Sequence, residues 1–237
     1  MKIVNKKRFV ISCIFFILIL VLITALIIGY AKNKDKQGIL TSSVVLKVYK
    51  YKIVVDAGHG GEDKGTNFGK LYEKDITLKI AKYVEKYLNS KDCQVIMTRD
   101  TDKFVFLNSI AELNNDASPN AFISIHIDSN KDTQCKGIST YYYYNTLGYQ
   151  KDERMNLAKT IEEQMIKDDS WNNMGIKKNH LLVLSKSNAV SALIECGFLS
   201  NSGDRAKLSN NDVLERLGKN ISDGVLKYLN LLKNVKN

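Results

Sequence analysis

Two of the three histidines in this 237-residue chain stand at the ends of short apolar runs. His59 follows Lys52–Val55 (KIVV) across a Gly-rich turn, and His126 closes most of Ala121–Ile127 (AFISIHI). Runs of this kind form buried strands. A third polar cluster, Glu195-Cys196-Gly197, follows Ser191–Ile194. Ligand sites in open α/β sheets form beyond the carboxyl ends of strands, so two imidazoles and a carboxyl group are expected along one sheet edge. Paired imidazoles suggest a metal, and a hydrolytic zinc site needs three protein ligands and one open position. Glu73 opens the helical stretch after the turn that follows His59. It is either the third ligand or a partner of the helix dipole in the first turn, and spacing alone leaves both readings open. Glu195 is flanked by Leu193, Ile194 and Phe198, so its carboxyl group should be partly buried with a raised proton affinity. That suits a group that takes and returns a proton.

The neighbouring residues have weaker claims. The turn Asp56–Gly61 (DAGHGG) is neither GxGxxG nor a Walker loop, which argues against a nucleotide cradle. Asp56 is expected either to orient an active-site imidazole or to stabilise its turn. His180 matches no ligand position. Tyr141 to Tyr144 alternate across a strand and read as packing. Asn201 reads as the cap of a following helix, and Lys177 and Lys178 as solvated charge or contacts to an anionic glycan.

The elements that must position these groups follow from periodicity. Lys52–Val55, Gln94–Met97, Ala121–Ile127, Gly137–Tyr144, Leu181–Leu184 and Ser191–Ile194 are expected strands. Asp75–Leu88, Leu107–Leu113, Glu153–Met165 and Val213–Leu232 are expected helices, with Ile76, Ile80, Val84 and Leu88 forming one apolar stripe. Pro119, the only proline, follows the second of these helices. Strand and helix in alternation predict an α/β fold: a single domain with a mostly parallel twisted sheet flanked by helices.

The N-terminus differs in kind. Lys2, Lys6, Lys7 and Arg8 precede Phe9–Tyr30, a run of 22 residues without a charge. As a helix it is about 33 Å long, enough to cross a hydrocarbon core of roughly 30 Å. The run exceeds a signal-peptide core, and Ile27–Ala31 is a poor cleavage site, so an uncleaved transmembrane helix is expected. The basic flank favours a cytoplasmic N-terminus and an extracytoplasmic remainder. The expected organisation is a cytoplasmic segment 1–8, a membrane anchor 9–30, a linker 31–43 and a catalytic domain 44–237.

The formal charge of +10 is concentrated at that end. Residues 1–36 hold seven Lys/Arg and one acid, leaving 28 basic and 24 acidic residues beyond. This mild excess suits an anionic wall and lacks the basic stripe of a nucleic-acid binder, so no nucleic-acid partner is expected. Cys13, Cys93, Cys135 and Cys196 show no metal-type pairing.

Five segments in order, IVVDAGHGGEDKGT (Ile53–Thr66), EKDITL (Glu73–Leu78), MTRDTD (Met97–Asp102), FISIHID (Phe122–Asp128) and LIECGFLSN (Leu193–Asn201), resemble the zinc-dependent N-acetylmuramoyl-L-alanine amidases of bacterial walls. The resemblance implies Zn2+ held by His59, Glu73 and His126, with Glu195 as the catalytic acid–base. It implies hydrolysis of the amide between N-acetylmuramic acid and the L-alanine of peptidoglycan stem peptides, in cell-wall or spore-cortex remodelling. An inactive peptidoglycan-binding scaffold and a zinc peptidase acting on the stem are the alternatives. Three departures stand out: Ile127-Asp128 replaces the usual Ala-Asn, Ile110 stands where an arginine is common, and no proline precedes the last strand. Only ten residues, Ile127–Lys136, separate His126 from Gly137, which leaves no room for an inserted blocking helix. Restraint is expected from membrane tethering, substrate modification or a protein activator.

Overall fold

The computed structural model describes residues 6–36, 48–148 and 150–234. They form two units, Met1–Lys47 and Val48–Asn237. In the first, a single helix, α1 (Lys6–Lys36), contains the apolar stretch Phe9–Gly29, long and apolar enough to cross a membrane. The expected linker therefore begins as helix: Ala31–Lys36 continue α1, and residues 37–47 lie outside the described residues.

The second unit is built on a six-stranded sheet. Its strands are β1 (Tyr51–Ala57), β4 (Cys93–Met97), β5 (Ala121–Asp128), β6 (Ile138–Tyr142), β7 (Asn173–Lys178) and β8 (Ser191–Phe198), in spatial order β4-β1-β5-β8-β6-β7. The pairs β1–β4, β1–β5, β5–β8 and β6–β7 are parallel, and β6–β8 is antiparallel. A two-residue hairpin, β2 (Asn67–Phe68) and β3 (Leu71–Tyr72), leads into α2 (Glu73–Asn89). One sheet face packs against α2, α4 (Lys151–Met165) and α7 (Asn211–Asn234). Ile76, Ile80, Val84 and Leu88 of α2, Leu157 and Ile161 of α4, and Leu217, Ile221 and Val225 of α7 meet Ile53, Ile123 and Ile194 there. Apolar spacing of three and four residues on each helix produces that face. The opposite face, with Val54, Phe122 and Leu193, is covered by Ile110 of α3 (Leu107–Ala117) and by Val183 and Leu184.

Two expectations need correction. The run Leu181–Leu184 is not a strand; Leu182–Ser185 form a one-turn helix, α5. A short apolar run fits a buried helical turn as well as a strand, and Val183 and Leu184 bury themselves in the second cluster either way. The sixth strand is Asn173–Lys178 (NMGIKK), an edge strand whose polar and glycine content hides it from a periodicity reading.

Two buried charges hold the later half together. Arg154 of α4, 4% exposed, donates to the carbonyls of Tyr143, Leu184, Ser187 and Ala189 and to Ser191 Oγ. It thereby fixes the approach to β8. Glu162 accepts from Thr140 Oγ1 at 2.7 Å and Gly175 N at 3.2 Å, tying α4 to β6 and β7. Burial drives its carboxyl group up to about 7, against the pull of those bonds and of Lys177. Arg154→Ala strands several buried carbonyls, so denaturant unfolding should show a loss of about 3–5 kcal/mol. Glu162 has a folded-state proton affinity above its unfolded one. Its contribution is therefore fully favourable below about pH 4.5 and is lost as pH rises toward 7. Glu162→Gln should remove that component: the variant gains thermal stability relative to the natural chain at pH 8 but not at pH 4.

Candidate metal centre and acid–base site

The site is assembled where β1, β5 and β8 end. Gly58 N donates to Ile125 O at 3.0 Å, carrying the β1–β5 ladder one residue past β1. The chain then turns sharply, with His59 at φ 64°, a conformation uncommon for a side-chain-bearing residue and concentrated at functional sites. The turn leaves no room for a larger residue at position 58: a Cβ there would lie 2.4 Å from His126 Cε1.

His59 Nδ1 pairs with Asp63 Oδ2 at 2.8 Å, and its Nε2 stands 3.1 Å from Glu73 Oε2. A carboxylate accepting from one ring nitrogen leaves the other free as a donor atom toward a metal. His126 Nδ1 lies 3.1 Å from Glu73 Oε1. Glu73 is 3% exposed, and its two oxygens also accept from Thr66 N and Ile127 N, each at 2.9 Å. The two sequence readings of Glu73 both hold, since it opens α2 and also touches both imidazoles. Glu195 is the direct β8 partner of His126 in the parallel ladder, and the register shifts immediately after this pair, with the extra residue on β8. The structure thus brings His59, Glu73, His126 and Glu195 together.

Electrostatics separates the two carboxyl groups. Burial alone would raise Glu73, but hydrogen bonds and charge from His126 and His59 bring it down to about 2. Glu195 is pushed up to about 7 by burial, reinforced by Asp128 and Glu73 and partly offset by His126. Its Oε2 is buried with no hydrogen-bond partner among the described residues. Burial works to lower both imidazoles. For His59 the bonds and charges of Glu73 and Asp63 prevail and lift it to about 9, and His126 is raised by Glu73 and Glu195.

These features fit a bound cation. His59, Glu73 and His126 offer ligand atoms that all lie within 4.8 Å of one another. Neighbouring ligands on a small tetrahedral ion with bonds near 2.0–2.1 Å sit about 3.3 Å apart, close to the observed His–Glu separations. The raised imidazoles mark a point of negative potential, and the unpartnered Glu195 Oε2 supplies a polar group beside it.

Other expectations resolve as follows. Asp56 does not reach an imidazole. It accepts from Thr98 Oγ1 and Ser124 Oγ, each at 2.6 Å, and so ties β1 to its two neighbours beneath the site. His180 is exposed, its ring edge-on to Tyr143 at 4.7 Å. Asn201 caps α6 (Ser202–Leu208), accepting from Gly203 N and Asp204 N. Ile110 is buried in the second cluster.

Two residues with clear roles escaped the sequence reading. Asp63 stands four positions after His59, a spacing that offered a signal. Arg99 lay within MTRDTD; it is 1% exposed and donates to the carbonyls of Ala57, Gly58, Lys74 and Thr101 and to Thr77 Oγ1. Nothing in its type or spacing announced that it clamps the His59 turn to the first turn of α2.

The fold and site belong to a recognisable class. The family model for N-acetylmuramoyl-L-alanine amidase matches residues 53–227. The probable cell wall amidase LytH of Staphylococcus epidermidis is 34% identical over 181 residues, 74% of this chain and 57% of that protein. The uncharacterized protein YqiI of Bacillus subtilis is 29% identical over 74% of this chain and 84% of its own length. Among solved structures, the N-acetylmuramoyl-L-alanine amidase from Clostridium difficile 630 superposes with a TM-score of 0.71 at 36% identity, covering 76% of this chain and 97% of that one. The CwlD amidase from Clostridioides difficile, in complex with the GerS lipoprotein, gives 0.71 at 28% identity, covering 76% and 99%. The chain spans little more than half the length of LytH. It belongs to the N-acetylmuramoyl-L-alanine amidase family.

Removing the carboxylate behind His59 tests this geometry. Asp63→Ala should weaken divalent-metal affinity about 10–100-fold with no change in circular dichroism, read by competition with a chromogenic chelator. Unchanged affinity would show that Asp63 does not orient the imidazole.

Proposed function

We propose that the chain is a zinc-dependent N-acetylmuramoyl-L-alanine amidase that cleaves the bond between N-acetylmuramic acid and L-alanine in peptidoglycan. The observation that carries this reading is the meeting of His59, Glu73 and His126 beside Glu195, in a chain of this family. His59, Glu73 and His126 would hold the ion. A bound zinc ion supplies Lewis-acid polarisation and makes water a competent nucleophile near neutral pH.

Glu195 does the proton work. With an affinity near pH 7 it accepts the proton released as water adds to the amide carbonyl. It then delivers that proton to the departing nitrogen as the C–N bond breaks. The products are a lactyl carboxylate on the sugar and a stem peptide with a free amino group. Asp63 and Arg99 position this chemistry, the first through His59 and the second through the turn that carries it.

The apolar stretch Phe9–Gly29 supports a single-pass anchor with the catalytic unit, from about residue 44, on the extracytoplasmic side. Peptidoglycan lies there, and the mildly basic composition suits it. The place of action is wall remodelling, the spore cortex included. The complex of the CwlD amidase with GerS is a precedent for a protein partner on this fold, and we extend it to an activator here.

Purified full-length protein, loaded with zinc and given glycan strands bearing stem peptides, should release new amino-terminal L-alanine, identified by labelling and mass spectrometry. Glu195→Gln should retain zinc and lose about 10²–10⁴-fold in rate, whereas His126→Ala should lose activity and bind zinc more weakly. Cleavage within the stem would identify a peptidase. Binding without cleavage would identify a scaffold, and a fully active Glu195→Gln would refute the assigned role.

A further inference from the structure

The sheet face that carries the site extends beyond it. Register pairs Ser139 with Glu195 and Tyr141 with Leu193 across β6 and β8, and Tyr141 with Lys177 across β6 and β7. Residues directly opposite one another in a sheet project to the same face. Lys177 therefore shares a face with Glu195, two strands outward and two residues back. Strand and residue spacings put the two Cα atoms about 12 Å apart, and the four-carbon stem of lysine spans roughly half of that.

The Lys177 ammonium has no ion pair or hydrogen bond among the described residues. Its Nζ lies 5.6 Å from the centroid of the Tyr141 ring, and the side chain is half-buried. Its charge is felt by Glu162 behind the sheet, which does not come within ion-pair distance. The next residue behaves differently: Lys178 is exposed and packs its ammonium 3.6 Å from the Tyr144 centroid. On the same face Ser139, opposite Glu195 in the β6–β8 ladder, is fully buried and brings no charge between Lys177 and the acid–base residue. A half-buried cation with no ion pair among the described residues, on the face that leads to the acid–base residue, is suited to an anionic group of a bound ligand.

We propose that Lys177, with Tyr141 as its wall, forms an anion subsite that reads a carboxylate on the stem peptide near the bond cleaved. The distance sets the position. Once the lysine stem is allowed for, the remaining gap matches one or two residues of extended peptide at about 3.3 Å each. The subsite thus reads the residue after the L-alanine. A lysine suits this task, because a single compact charge needs no bidentate geometry, and partial burial strengthens its attraction beyond that of a solvated surface ammonium. This subsite rests on the amidase reading.

The test uses two synthetic muramoyl-peptides that differ only at the second stem residue, a free carboxylate in one and a carboxamide in the other. Full-length protein should favour the carboxylate about 10–100-fold in kcat/KM, mainly through KM, with the preference shrinking as salt rises. Lys177→Gln should bring the ratio to about one, with the larger loss falling on the carboxylate substrate. Lys177→Arg should restore most of the preference. Equilibrium binding of the two free stem peptides should show the same order. A Lys177→Gln variant that keeps the preference, or a natural chain with none, overturns the subsite alone. Failure of the natural chain to free the stem peptide, with L-alanine at its amino terminus, from either substrate overturns the amidase reading instead; equal binding of the two free peptides would then overturn the subsite as well.

Discussion

The structure turns on the Glu73 carboxylate. A buried carboxylate is costly unless it is paired and hydrogen-bonded, and this one has a contact for every direction it faces. Each oxygen meets one imidazole and one backbone N–H, from Thr66 on one side and Ile127 on the other. Those partners come from the loop before α2, the turn after β1 and the end of β5. One side chain therefore joins three elements that are distant in sequence, and its place at the head of α2 adds the favourable end of the helix dipole.

The surroundings make that junction unique. Arg99 gathers the carbonyls of Ala57, Gly58 and Lys74 on one guanidinium, locking the His59 turn to the start of α2. Asp56 takes hydroxyls from β4's end and from β5, holding the strands in register below. Gly65 lies so close that a Cβ would sit 2.4 Å from Glu73 Oε2, and its φ of 62° is one that glycine adopts freely. The outcome is two carboxyl groups with opposite tasks. Glu73 stays ionised and suited to a cation, while Glu195, with an unpartnered buried oxygen, holds its proton near neutrality. Environments that drive two acids apart in this way assign their chemical roles.

How far the sequence foretold this depends on the kind of signal. His59, His126 and Glu195 were legible because each stands just beyond or near the carboxyl end of a strand, and such ends converge where the strands run parallel. Glu73 was ambiguous because a glutamate in a first helical turn has an ordinary explanation, and only the fold shows that both explanations apply. For Asp56 the sequence leaves two readings, an imidazole or its own turn, and the hydroxyls of Thr98 and Ser124 are its partners instead, since spacing says nothing about which face a turn residue will take. Arg99 and Arg154 were invisible because their partners are backbone carbonyls scattered over tens of positions, a pattern that exists only after folding. The edge strand Asn173–Lys178 escaped for a related reason: with one neighbour and little burial, it needs no apolar alternation. The helices were read well because each buries a full stripe, and their ends moved by only a few residues.

X-ray absorption at the zinc edge, on the purified full-length protein, tests the central claim most directly. A four-coordinate site with only nitrogen and oxygen neighbours, two of them showing imidazole scattering that falls to one in His126→Ala, is the expected result. Sulfur ligation, or a spectrum unchanged by that substitution, would contradict the account.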